Sequence, residues 1–76
     1  MFKWKLDSLL VEHGITKTDL YREAKVRSNA VYDMCNGKTT RIELETMGKV
    51  IAVLRQLTEK EITLNDIIEF HNEDEK

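Results

Sequence analysis

Seventy-six residues, 41% hydrophobic and 34% charged with a formal net charge of −2, are enough for one domain with a modest core. The single cysteine, Cys35, excludes an intrachain disulfide and a multi-cysteine metal site. No apolar run approaches the roughly 20 residues of a membrane span, and Lys3, Lys5 and Asp7 break up any signal-peptide pattern at the start, so the expected setting is the cytoplasm.

The chain has no proline and three glycines, and its apolar residues recur mostly at helical spacing. The fold is therefore read as all-α. Phe2, Leu6, Leu9, Leu10 and His13 make one apolar stripe, which predicts a first helix over 2–13 closed by Gly14. Trp4 lies off that stripe and reads as partial cover at the core edge. His13 reads as a helix-end residue near the negative end of the dipole rather than a metal ligand or a base. Ile15 is expected to pack beneath the start of the second helix.

Thr16 can cap that second helix, with Asp19 three residues on, close to a capping box. Leu20 and Ala24 share its inner face at i, i+4. Lys25-Val26-Arg27 is too short to be anything but a turn, plugged by Val26. A third helix follows over 28–35, burying Val31 and Met34, and Asn36-Gly37 ends it because glycine readily takes the left-handed conformation. Helix, short turn, helix is a helix-turn-helix unit, whose second helix can enter a major groove.

A fourth helix is expected over 43–57, with Leu44, Met47, Val50, Ile51 and Leu54 inward and Glu43 and Glu45 at its positive end. Gly48 inside it costs up to ~1 kcal/mol relative to alanine, either for close approach of another helix or as a tolerated defect. Thr58 to Glu61 forms a polar connection. Thr63 caps a last helix over 64–70 that turns Leu64, Ile67 and Ile68 inward. The domain is expected to span 1–70, with 71–76 a short, acidic, frayed tail.

The charge is unevenly spread. Residues 17–41 carry Lys17, Arg22, Lys25, Arg27, Lys38 and Arg41 against Asp19, Glu23 and Asp33, a local +3, whereas residues 42–76 carry −5. Attraction to phosphate follows the local field rather than the total, and the basic share sits on the helix-turn-helix.

Ile15-Thr16-Lys17, Leu20, Val31, Asn36-Gly37-Lys38-Thr39 and Arg41, continued by Ile42 to Thr46, resemble the Xre/Cro-type helix-turn-helix domains of phage-style repressors. The likeness covers most of residues 2–70. It departs at Lys25, where the family usually has glycine, at Tyr21, where it has a small residue, and at Arg27, where a capping Ser or Thr is common. The resemblance implies a compact five-helix bundle of the lambda-repressor-like type and a DNA-binding regulator.

With Val31 and Met34 inward, helix three turns Arg27, Ser28, Asn29, Tyr32 and Asp33 outward. Arg27 suits guanine, Asn29 adenine, Ser28 a base or phosphate, Tyr32 a thymine methyl or phosphate, and Asp33 cytosine. Without the surrounding motif, these five would be a solvated face. Lys17, at a positive helix end, reads as a phosphate contact. So do Asn36, Lys38, Thr39, Thr40 and Arg41, in the loop where the family contacts the backbone. Arg22 and Lys25 are not assigned.

The reading is a sequence-specific, repressor-like transcriptional regulator acting as a two-fold dimer on operator DNA, with Val53, Leu57 and Phe70 as candidate dimer contacts. The alternative is a protein-interaction or antitoxin-like module that keeps the fold and binds DNA weakly or not at all. The carboxylates fit helix ends rather than an acid/base pair, and Cys35, His13 and His71 are too scattered for zinc. No enzyme activity, cofactor, metal, small-molecule ligand or membrane contact is expected. Cys35 could sense oxidants only if exposed with a lowered pKa.

Overall fold

Apolar side chains at helical spacing organise most of the chain in the computed structural model, which describes residues 1–72. The element order is β1 (Phe2–Trp4), α1 (Leu6–His13), α2 (Lys17–Ala24), α3 (Ser28–Cys35), α4 (Leu44–Thr58), α5 (Leu64–Ile67) and β2 (Ile68–Phe70). The molecule is mostly helical, with five helices, but not all-α. β1 and β2 pair antiparallel, with Phe2 opposite Phe70, Lys3 opposite Glu69 and Trp4 opposite Ile68.

The two ends thus depart from the helical reading. Phe2 is not part of the α1 stripe: it is 66% exposed and stacks edge-on against Phe70, ring centroids 5.2 Å apart. Lys5 N donates to Ile67 O at 2.6 Å, and the Met1 amino group and His71 N exchange bonds with each other's carbonyls. Backbone donors that an N-terminal helical turn would leave unsatisfied find acceptors here. The last helix accordingly stops at Ile67. Of the tail expected to fray, His71 is held against Met1, and residues 73–76 lie outside the described residues.

The interior helices follow their local signals. Gly14 ends α1 in the left-handed region at φ 66°, as a glycine after a helix does at little steric penalty. Thr16 Oγ1 accepts from Asp19 N at 3.0 Å. Lys25 closes α2 at φ 57°, a left-handed conformation in a residue that carries a Cβ. Gly37 at φ 72° terminates the turn after α3. The Thr63 backbone N–H donates to Asp66 Oδ2 at 2.8 Å, anchoring the start of α5.

The core joins Leu6 and Leu10 of α1, Leu20 and Ala24 of α2, Val31 and Met34 of α3, and Met47, Val50, Val53 and Leu54 of α4 to Ile62 and Ile67. α2 packs on both α3 and α4, and α1 on α3 and α5. Leu44 departs from its expected inward place. It is 83% exposed, because Glu43 is the N-cap and Leu44 begins a turn pointing away from the core. Leu64 is exposed for the same reason at the head of α5.

Val53 is buried rather than on an outer face, since it completes a stripe with Val50 and Leu54. Ile62, just after the polar connection, is buried, and its carbonyl accepts from Arg55 Nε at 2.8 Å. Gly48 has no atom within 4 Å of where a Cβ would stand, so no close helix approach explains it. Among the described residues, no helix is long and apolar enough to cross a membrane.

Candidate nucleic-acid interface

The α2–turn–α3 unit depends on three residues. Leu20 and Val31 are fully buried and lock the two helices together, while Val26, half-buried against the core, holds the turn between them. Val26 N donates to Tyr21 O at 3.1 Å, which closes the turn onto α2. The conformation at Lys25 is the one that glycine usually supplies. Lysine in its place leaves the turn intact.

With α3 anchored by Val31 and Met34, its opposite side is open. Asn29, Tyr32 and Asp33 are exposed, Ser28 is half-buried in the first turn, and Arg27 is the exposed N-cap without a side-chain cap bond. Tyr32 is not isolated. Its ring lies 6.3 Å from that of Tyr21, and Lys17 Nζ sits 5.8 Å from its centre, within cation–π range. Lys17 thereby brings the start of α2 alongside the outer face of α3. The same ammonium is 3.4 Å from Asp7 Oδ1, so α1 contributes a carboxylate to this corner.

The loop after α3 folds back along the helix. Asp33, Lys38, Thr39, Thr40 and Arg41 line one groove of about 330 Å³, floored by Ala30 and Met34. Asn36, the C-cap, is exposed beside it and donates its N–H to Tyr32 O. Arg27 lines an adjoining groove with Lys25, Glu43, Glu45 and Lys49, which shares Ala30, Glu43 and Thr46 with the first. The sequence-derived set therefore groups as a Lys17–Tyr32 corner, a loop groove containing Asp33, and Arg27 in an adjoining groove of mixed charge. Sequence reasoning missed Tyr21 and Asp7, whose relevance arises only from helix packing.

Arg22, Lys25, Arg27, Lys38 and Arg41 form no ion pair among the described residues. Outside this region Lys5 and Lys49 are bound to Glu69 and Glu45 and Arg55 is held by Ile62 O, while Lys3 and Lys60 likewise form no ion pair among the described residues. Cationic groups left unpaired in one continuous stretch are available to an external anion.

Cys35 does not meet the conditions for an oxidant sensor. Burial pushes its thiol up from the ordinary 9.0 to about 11, partly opposed by Lys17 and reinforced by Asp7. A reactive cysteine needs the reverse shift. No cluster of metal-ligating side chains occurs among the described residues.

The sequence pattern of the Cro/C1-type HTH DNA-binding domain matches residues 5–73. The chain belongs to that family. No curated protein and no solved structure gives a significant match. In this Cro/C1-type domain the matched span takes in the five described helices and β2 and leaves out β1.

Proposed function

We propose that this Cro/C1-type domain is a sequence-specific, repressor-like transcriptional regulator that lays α3 in the major groove of operator DNA. The observation that carries the reading is that Arg27, Lys38 and Arg41, which form no ion pair among the described residues, flank α3, whose outer face is polar and exposed. Asn29, Tyr32 and Asp33, with Ser28 and Arg27 at the helix start, read base edges. Lys17, Asn36, Lys38, Thr39, Thr40 and Arg41 hold the phosphates and set the register. Asp7 competes with phosphate for Lys17, which tempers affinity at that corner.

A single short helix reads few base pairs, too little to select one site among many. The regulator therefore acts as a two-fold dimer with half-sites about one helical turn apart. Leu57 and Phe70, both exposed, are the candidate contacts, and buried Val53 is no longer among them.

The test begins by selecting bound duplexes from a random pool and titrating the preferred site at several salt concentrations. Binding should weaken steeply with salt as counterions are released. Lys38→Ala and Arg41→Ala should each weaken binding to all sequences alike and shallow the salt slope by about one unit. No duplex binding at low salt would leave the protein-interaction or antitoxin-like reading, which exposed Asp33 on the reading face favours.

A further inference from the structure

Residues 39–42 have little to hold them. Gly37 N donates to Met34 O at 3.3 Å and Lys38 N to Asp33 O at 2.8 Å, so the loop is fastened to α3 as far as Lys38. Beyond that point, among the described residues, one hydrogen bond reaches any of residues 39–42: the Trp4 indole Nε1–H donates to Thr39 O at 3.3 Å. The indole is itself well fixed. It is half-buried against the core, and its backbone is opposite Ile68 in the sheet. A residue 35 positions upstream thus tethers the segment that carries Thr40 and Arg41.

We propose that Trp4 is a positioning residue for the phosphate-contacting loop, presenting Arg41 and its neighbours in their bound arrangement before DNA arrives. Tryptophan suits the task because its apolar face can pack on the core while its edge still carries a donor. A loop ordered in advance loses less conformational freedom on binding, and that saving appears as affinity. β2 takes part as well, since it is the strand against which β1 is aligned. The inference rests on the DNA-binding reading above.

Trp4→Phe keeps the ring and deletes the donor. It should weaken binding to the selected duplex by about two- to tenfold, the span of one hydrogen bond's net contribution. The melting temperature should change little. The effect should overlap with that of Arg41→Ala, the double variant losing less than the two single losses combined, and should add fully to that of Lys17→Ala. Affinity equal to the parent's, or full additivity with Arg41→Ala, would overturn the proposal.

If the parent binds no duplex, the DNA reading fails, and backbone order parameters decide the tether separately. Trp4→Phe should then lower the order parameters of residues 39–42 and leave those of the helices unchanged, whereas unaltered loop values would refute it. Should Trp4→Phe fail to fold, the parent's indole N–H proton serves: slow exchange with solvent supports the bond, and exchange as fast as a free indole's rules it out.

Discussion

Replacing Lys25 by glycine should stabilise the domain, although it removes a whole side chain. Lys25 adopts φ 57°, ψ 43° at the end of α2, where a Cβ crowds the following carbonyl at a cost of roughly 1–2 kcal/mol. Glycine escapes that crowding but loses more freedom on folding, which offsets roughly 0.5–1 kcal/mol. The remainder is a gain of about 0.5–1 kcal/mol. The side chain has no compensating role: it is exposed and forms no ion pair or hydrogen bond among the described residues. The bonds that close the turn, from Lys25 N and Val26 N to Tyr21 O, use backbone atoms and survive the change. For a domain of this size the gain corresponds to a melting temperature about 2–8 °C higher. A calorimetric or circular dichroism melt reads this directly, with Lys25→Ala as the control that keeps the Cβ and should gain nothing. If Lys25→Gly melts no higher than the parent, or if Lys25→Ala gains as much, the strain argument is wrong.

Val31 is fully buried, so Val31→Asp should cost several kcal/mol against a total of roughly 4–11 kcal/mol for a chain of this length; a melt like the parent's would refute the assigned inner face of α3. The Cys35 thiol, raised to about 11, should react with iodoacetamide at pH 8 roughly ten- to a hundredfold more slowly in the folded chain than in urea, and equal rates would contradict its burial. Glu69 is held below its ordinary 4.5, first by the hydrogen bond from Lys5 and then by that from His71. Its stabilising contribution is therefore complete above 4.5 and is lost as pH falls through the lower folded value. The parent's advantage in melting temperature over Glu69→Gln should shrink below pH 4.5, and an advantage independent of pH would exclude the pairing.

What was legible in the sequence was local. Thr16, Gly14 and Asn36-Gly37 announced helix ends because caps act over three or four residues, and Leu20, Ala24, Val31 and Met34 announced buried faces because helical periodicity is short-ranged. Phe2 and Leu6 satisfy the same spacing and misled, since nothing near Phe2 indicates that its partner is Phe70. Leu44 and Leu64 misled in a related way: each begins its helix, where a matching period does not ensure that the first turn faces the core. At the site, the residue types on α3 and its loop could be named from the chain. Their grouping could not, because the Lys17–Tyr32 corner and the Trp4–Thr39 bond depend on how separate elements pack.

The antiparallel joining of the two chain ends bears on the order of assembly. Met1 and His71, bonded to each other, are 70 positions apart, and the entropy of closing a loop rises with its length. Contacts between neighbouring helices close far shorter loops and form sooner. The expected sequence of events is helices first, α2 against α3 next, and the strand pair last. During synthesis β1 emerges first yet must wait for nearly the whole domain before it meets its partner. Until then Trp4 has no strand to align it, so the helix-turn-helix is in place before its loop is fastened.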